Sequence, residues 1–363
     1  MARKLESDKI LFGAVVILVL FGILMVYSAS AVMAAQRYGS SYYFAARQLI
    51  FAAAGFLLLV VLMNLDYRRL GSPRVVFPAV GLELVLLVGA LASGTNHNVH
   101  RWFRLGALSF EPSEFAKLAL VLFLAYFLDL RRGQVNDAAH TLAPLGLLTG
   151  LTVALVLKEP DLGTSLAILF VAAAMLFVAG LRLTYFGAAA LAAVPAFYLL
   201  VYRVPYQWKR IQAFLDPNQD PLGSGFQALQ AKIAVAVGGI NGVGLMEGKQ
   251  KLFYLPEPHN DFIFAVIGEE LGLAGALFVV ALFAVILWRG LRAAKRCQDG
   301  FGRLLAVGLT ALLVGQALVN MSVVLSLFPT KGIPLPFVSY GGSSLLMELM
   351  AVGVLLNISQ HAT

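Results

Sequence analysis

Apolar runs of about 17 residues or more recur along the chain and are separated by shorter polar segments. Each run is long enough to cross the roughly 30 Å hydrocarbon layer of a bilayer as a helix. In lipid a helix satisfies its own backbone hydrogen bonds, whereas an isolated strand does not. The pattern therefore predicts an all-α, polytopic integral membrane protein with about ten spans, at residues 10–33, 44–64, 74–92, 112–130, 141–157, 163–180, 184–201, 262–288, 302–326 and 341–358.

The longest connection, residues 202–261, is a large loop within a single predicted domain, residues 1–363. It holds an apolar stretch, "LQAKIAVAVGGINGVGL", that glycines interrupt too often for a full span. We expect an amphipathic or re-entrant segment at the membrane surface. The glycines predict tight turns or a close approach of the backbone to a ligand.

Composition and charge agree with a membrane protein and add its orientation. Of the 363 residues, 60% are hydrophobic and 13% are charged, against about 25% charged in soluble domains. The net charge of +8 does not indicate nucleic acid, because the basic residues lie in loops between spans. Lys and Arg are enriched in alternate loops, beginning with the N-terminal segment. The positive-inside rule then predicts both termini in the cytoplasm and the 202–261 loop outside.

The N-terminal apolar core runs from Ile10 to about Val26, which is longer than the core of a typical signal peptide. It is predicted to be a retained first span. The single cysteine, Cys297, allows no disulfide within the chain.

Two polar clusters flank spans on the predicted outer side. In "RWFRLGALSFEPSEFAKLAL", Glu114 and Lys117 are three residues apart and share a helix face. They form either a buried structural ion pair or a cation site for an anionic ligand, and the residues alone favour neither. In "LKEPDLGTS", Asp161 is predicted to cap the next helix; a ligand role would need further support.

The third cluster surrounds the start of the eighth predicted span, "HNDFIFAVIGEELG". Asp261 stands at the boundary between loop and span, where helix capping is the simpler interpretation. Glu269 and Glu270 lie about 12–13.5 Å deeper along a helix and are expected to face the bundle interior. Together these residues predict a polar cavity that opens outward, for either transport or a reaction.

Four motifs in this order, "EPSEFAKLAL", "KEPDLGTS", "HNDFIFAVIGEELG" and "GIPLPFVSYGGSS", resemble the SEDS family (shape, elongation, division, sporulation). The resemblance runs from the first predicted span to the last. The proline in the last motif and the wording "KEPDLGTS" match the elongation branch, RodA, better than the division branch, FtsW.

The resemblance implies a peptidoglycan glycosyltransferase. Such an enzyme polymerises lipid II on the outer face of the bacterial cytoplasmic membrane during elongation and uses a divalent cation, Mg²⁺ or Mn²⁺. Its implied partners are a class B penicillin-binding protein that crosslinks the glycan, membrane lipids and other membrane proteins of the elongation complex. No nucleic acid is expected.

The resemblance also assigns roles to residues. Asp261 matches the family's essential aspartate, as a general base or as a carboxylate that holds the metal. Cations stabilise the leaving pyrophosphate, with Glu114 holding one of them, Lys117. The full set of predicted substrate-binding residues is Lys117, Glu114, Arg101, Arg210, Lys251, Asp161, Ser339, Gly341, Gly342 and Ser343, and the predicted cavity residues are Glu269, Glu270 and His259.

Two other functions are consistent with the same pattern. Acidic residues inside spans and spans broken by Gly or Pro also mark transporters, which keeps a lipid II flippase open. A non-catalytic scaffold for the penicillin-binding protein is the third hypothesis, although it would not need Asp261.

Overall fold

The computed structural model describes residues 7–92, 101–105, 108–217, 220, 223, 225–252, 254–330 and 332–361. Within them lie twelve α-helices: α1 (Lys9–Tyr38), α2 (Tyr43–Asn64), α3 (Pro73–Ala92), α4 (Pro112–Leu130), α5 (Ala143–Lys158), α6 (Leu162–Ala179), α7 (Leu183–Phe197), α8 (Pro205–Leu215), α9 (Phe226–Gly238), α10 (Ile263–Arg296), α11 (Gly300–Val324) and α12 (Gly342–His361). A short hairpin joins β1 (Phe103–Leu105) to β2 (Leu108–Phe110).

The all-α membrane architecture is confirmed. Eight of the described helices are long and apolar enough to cross a membrane. The other two predicted spans correspond to α4, whose 19 residues include Glu114, Lys117 and Asp129, and to α7, whose 15 residues continue into a π-helix, Tyr198–Tyr202. Each of the ten predicted spans therefore has a helix, and two of the helices, α8 and α9, lie in the large loop.

The outer helices face lipid and the inner ones form the core. In the 18-residue apolar stretch of each helix, 83% of the residues are buried in α11 and 72% in α12, against 22% in α2. The α2–α12 crossing is close because each helix places a glycine at it: a Cβ on Gly55 would lie 2.4 Å from Leu349, and one on Gly353 would lie 2.7 Å from the Leu59 carbonyl. Small residues at such crossings let helices approach in lipid, where packing replaces the hydrophobic effect.

Helix α10 is not continuous, although the sequence predicts one span there. Gly272 has φ +62° and ψ −157°, which breaks the helix. The large loop fills the break: the N–H groups of Val243 and Gly244 donate to the carbonyls of Glu269 and Glu270 at 3.0 Å each. The N–H of Leu273 in turn donates to the Gly239 carbonyl at 2.9 Å. We call residues 239–244 the inserted strap.

The inserted strap explains part of the glycine pattern. Gly242 has φ +77°, and a Cβ there would lie 2.1 Å from the Glu270 carbonyl. Gly272 is equally constrained, because its Cβ would lie 2.4 Å from the Gly242 nitrogen. The predicted close backbone approach exists, and here the partner is another part of the chain.

Candidate active site

A polar pocket of about 590 Å³ lies where α2, the starts of α4 and α6 and the segments before α10 and α12 meet. Its volume lies within the range of small-molecule sites. It brings together six of the predicted residues: Asp261, Asp161, Arg101, Glu114, Gly341 and Gly342. Four sequence motifs that are far apart in the chain therefore contribute to one site.

Asp261 is held in this pocket and does not cap α10. The residue at the N-cap is Phe262, which makes no side-chain cap bond. The Asn320 amide on α11 donates to the Asp261 carbonyl at 2.8 Å and to the Ile333 carbonyl at 2.7 Å. Gly332 lies beside the carboxylate, since a Cβ there would be 2.9 Å from Oδ2. The capping interpretation of Asp261 is therefore wrong, and its carboxylate faces the pocket.

The surroundings make Asp261 a stronger base than an ordinary aspartate. The pKa of its carboxyl is raised to about 6, first by burial and then by the charge of Asp161, against the opposing charges of Arg210 and Arg101. The carboxylate is still mostly ionised at neutral pH. A base whose pKa lies close to the working pH is well matched to general base catalysis.

Asp161 caps α6, as its sequence position predicts, and it also lies in the pocket lining. Its carboxylate caps α6 by accepting from the backbone N–H of Thr164 at 3.0 Å and from the Thr164 hydroxyl at 2.9 Å. It also lines the pocket, where Arg101 lies 3.7 Å away. Arg101 is fixed by donating to the backbone carbonyls of Glu159 and Pro160.

Glu114 and Lys117 are paired at 2.9 Å and both are buried. Lys117 also donates to the Gln316 amide oxygen at 2.8 Å. Glu114 lines the pocket, whereas Lys117 is absent from its lining and lies behind Glu114. Lys117 therefore acts on the pocket through Glu114.

Lys251, Glu269 and Glu270 belong to a different cluster, which we call the strap anchor. The Lys251 ammonium lies 2.6 Å from the Glu270 carboxylate, which also accepts from the Ser28 hydroxyl at 2.7 Å. Glu269 accepts from the backbone N–H of Lys249 at 2.7 Å. These residues hold the loop around the inserted strap against α10, and none of them lines the pocket.

His259 and Arg210 also lie outside the pocket lining. His259 is buried against the Phe44 ring at 4.4 Å, and burial lowers its pKa to about 4, so its imidazole is neutral. Arg210 donates to the Thr330 carbonyl at 3.2 Å. Its charge nevertheless lowers the pKa of Asp261, so it acts on the site electrostatically.

The "SYGGSS" motif divides between the pocket wall and its support. Gly341 and Gly342 line the pocket, and the Gly341 N–H lies 3.4 Å from the Gln48 amide oxygen. The Ser339 hydroxyl donates to the Asn260 carbonyl at 2.7 Å, which fixes the residue before Asp261. Ser343 is buried, and its hydroxyl accepts from the backbone N–H of Glu111 at 3.4 Å.

Several pocket residues were missed by sequence reasoning. Arg47 and Tyr43 form one wall, with the guanidinium 4.6 Å from the ring centre, and Tyr43 stacks on Tyr38 at 3.9 Å. Glu111 also lines the pocket, and burial followed by the Glu114 charge raises its pKa well above the usual range. The spacing of four residues between Tyr43 and Arg47, which places both on one helix face, was the available signal.

The comparisons with known proteins agree along the whole chain. Residues 8–363 match the model of the cell cycle protein family of FtsW, RodA and SpoVE. The chain belongs to this family. A relative from Trichlorobacter lovleyi, named probable peptidoglycan glycosyltransferase FtsW, is 46% identical over 98% of this chain and 94% of that protein. Stage V sporulation protein E of Bacillus subtilis is 41% identical over 99% of each.

Solved structures give the same assignment. A chain from a peptidoglycan synthase complex, studied for how polymerization and crosslinking are coordinated, has a TM-score of 0.81 at 34% identity over 99% of both chains. RodA of Thermus thermophilus has a TM-score of 0.71 at 30% identity over 98% of this chain and 97% of that one. The predicted SEDS membership is confirmed, as is the prediction of a glycosyltransferase. Elongation and division are not separated, because relatives named for both branches match.

The pocket offers carboxylates to a divalent cation but no complete protein cage. Within the described residues, no group of three or more His, Cys, Asp or Glu side chains could hold a metal ion. Mg²⁺, however, is usually bound by one or two carboxylates together with substrate phosphates and waters. Asp261 and Asp161, which line the same pocket, fit such a site.

Proposed function

We propose that this protein polymerises lipid II into glycan strands at the outer face of the bacterial cytoplasmic membrane. The observation that carries the proposal is Asp261, which is free of a capping role and faces a polar pocket at the end of a membrane helix. Arg101 supplies positive charge in the same pocket. The reaction needs a base and a cation in the same site. The family assignment also supports the proposal.

Asp261 is proposed as the general base. The acceptor sugar hydroxyl attacks the anomeric carbon of the donor and forms the new glycosidic C–O bond. Its proton passes to the Asp261 carboxylate, while the bond from the anomeric carbon to the lipid pyrophosphate breaks with its electron pair on the phosphate. A positioned base contributes roughly 10²–10⁴-fold to such a step.

The leaving pyrophosphate gains negative charge and requires cations placed in advance. Arg101 and Arg47 both line the pocket and serve this role. Glu114, positioned by Lys117, balances the positive charge and orients polar groups of the substrate. The aromatic wall of Tyr38 and Tyr43 suits the apolar face of a sugar ring.

As the alternative to its role as base, Asp261 would hold a divalent cation, Mg²⁺ or Mn²⁺, together with Asp161 and the substrate phosphates. When bound, it would neutralise charge that develops on the leaving group. Arg101 would then keep the Asp161 carboxylate oriented toward the pocket.

We further propose that both termini are cytoplasmic and that the loop between α7 and α10 is external, which places Asp261 on the side where glycan is built. A class B penicillin-binding protein and other cell-wall membrane proteins are the proposed partners. The similarity to a chain of a peptidoglycan synthase complex supports this assignment.

The wording of the motifs favours elongation, and we propose that role first. A division or sporulation role is the second candidate, supported by relatives named FtsW and Stage V sporulation protein E that are 46% and 41% identical. Depletion in the native bacterium distinguishes them: rounded cells would indicate elongation, filaments would indicate division, and normal growth with failed spores would indicate sporulation.

The central experiment is a reaction of the purified protein with a class B partner whose transpeptidase site is blocked. Lipid II is supplied in detergent with Mg²⁺ or Mn²⁺, and parallel reactions contain a chelator. Glycan polymer supports the proposed function. Transfer of lipid II across vesicle membranes without polymer would indicate the flippase. If the protein neither makes polymer nor transfers lipid II but still binds the partner, the scaffold is indicated.

The rate of polymerisation is expected to depend on pH through Asp261. Its base form is lost on protonation, so the rate should fall as pH drops through about 6. The charge of Asp161 contributes to the raised pKa of Asp261. Asp161→Asn should therefore move the acidic limb of the pH–rate profile to lower pH. The asparagine oxygen can still cap α6. Rates measured between pH 5 and 8 test this; a limb that stays in place would show that Asp261 is not the titrating base.

Removing Lys117 should impair synthesis more than removing Lys158. Lys117→Ala leaves Glu114 buried without its ionic partner, which raises the cost of the charged carboxylate and misplaces a pocket residue. Lys158 is exposed at the end of α5 and is the matched control. Initial rates of both alanine variants decide the order, and an equal loss would contradict a special role for Lys117.

A further inference from the structure

A second cavity, of about 240 Å³, lies between α6 and α11 and is almost entirely apolar. We call it the α6–α11 groove. Phe170 on α6 and Phe328 after α11 lie at its lipid-facing side, with 53% and 56% of their surfaces exposed. The other lining residues used below are Gly163, Gly315, Val319 and Ile333.

The groove adjoins the catalytic pocket through shared walls. Gly163 lines the groove, while its neighbours in sequence, Asp161 and Thr164, line the pocket. Ile333 lines the groove between two pocket residues, Gly332 and Pro334. Gly163 and Ile333 pack against each other at this boundary, because a Cβ on Gly163 would lie 2.6 Å from Ile333.

The polar residue of the groove, Gln316, has its hydrogen bonds satisfied elsewhere. Its amide oxygen accepts from Lys117 at 2.8 Å and its amide nitrogen donates to the Pro334 carbonyl at 3.2 Å. The groove therefore presents an apolar surface without competing donors. At its polar end it meets the residues that support Glu114 and Asp261.

We propose that the α6–α11 groove binds the isoprenoid chain next to the pyrophosphate of the lipid-linked substrate. The proposal rests on the proposed function, since the pocket would hold the pyrophosphate and sugars of the same molecule. A headgroup does not fit an apolar groove, whereas a hydrocarbon chain that leaves a polar pocket must enter an adjoining apolar space. The groove is the apolar space that borders the pocket, at Gly163 and Ile333.

The groove orients the substrate more than it increases affinity. Bulk lipid is as apolar as the groove, so transfer of the chain into it gains packing and no hydrophobic free energy. Holding the first part of the chain aligns the anomeric carbon with Asp261, and misplacement by about 1 Å can cost roughly 100-fold in rate.

Photolabelling tests occupancy without requiring catalysis. An isoprenoid pyrophosphate lipid with a photoreactive group near the phosphate is expected to label peptides containing Phe170 and Val319. Unlabelled isoprenoid pyrophosphate should compete, and a phospholipid should not. Labelling elsewhere, or equal competition by phospholipid, would overturn the proposal.

Filling the groove tests its role in the reaction. Gly315→Leu would fill it, since a Cβ there already lies 2.6 Å from the Phe170 ring, and Val319→Phe is a second, partly buried site. Both should lose the labelling and lower kcat/KM for lipid II by about tenfold or more. Gly150→Leu on α5, where nothing lies within 4 Å, is the control.

The outcomes separate this proposal from the proposed function. An active wild type with equally active, correctly folded groove variants would overturn the groove and leave the glycosyltransferase intact. An inactive wild type would count against the glycosyltransferase, while photolabelling would still decide whether the groove binds the isoprenoid chain.

Discussion

Replacement of Asp261 by asparagine is expected to lower the rate of glycan polymerisation by at least about 100-fold, because the amide cannot accept the proton of the acceptor hydroxyl. The fold should survive. The backbone of Asp261, which Asn320 holds, is unchanged, and its side chain makes no helix-capping bond. The measurement is the initial rate of polymer formation from lipid II by the purified protein with its partner.

Glu247→Gln is the matched control, since Glu247 is an exposed carboxylate in the same 202–261 loop. Its rate should equal that of the wild type. Comparable polymer from wild type and Asp261→Asn would remove Asp261 from the chemistry. A reduced polymerisation rate in both variants would show that the negative charge of the loop, and not Asp261 specifically, is required.

Lys251→Ala is expected to destabilise the protein by about 3–5 kcal/mol, the usual cost of leaving one member of a buried ion pair without its partner. Glu270 is fully buried and would lose its cation. The change in the free energy of unfolding is measured in detergent, with unfolding induced by heat or by denaturant. Lys249→Ala, at an exposed position in the same loop, should have little effect.

The double variant Lys251→Met with Glu270→Leu distinguishes stability from substrate binding. Removing both charges should recover much of the lost stability, because no uncompensated charge remains buried. A Lys251→Ala protein that keeps wild-type stability but has a raised KM for lipid II would restore the phosphate-binding role predicted from sequence.

The contrast between Asp261 and Lys251 shows how far sequence reasoning reached. The long apolar runs located the eight helices that are long and apolar enough to cross a membrane, and the change from loop to span at Asp261 marked a carboxylate just before α10. Charge type alone, however, made Lys251 a candidate for pyrophosphate binding. Its partner Glu270 and its neighbour Ser28, 223 positions away in sequence, meet only in the folded chain.

Other differences arise from backbone geometry that the pattern of residues does not encode. The break at Gly272 lies inside a stretch whose length and overall hydrophobicity predict one continuous span, in spite of Glu269 and Glu270. Arg47 was missed as a pocket residue because its pocket neighbours come from distant segments, such as Tyr340. Asp161 was predicted well as a cap because that bond is local, between residues three apart.

The inserted strap has a consequence for exchanging parts between relatives. The carbonyls of Glu269 and Glu270, at the end of the first part of α10, accept hydrogen bonds from Val243 and Gly244 of the strap. Loop and helix therefore form one structural cassette. A chimera whose new loop does not place N–H groups at these positions would leave the two carbonyls without partners, so a functional graft must carry the first part of α10 with the loop.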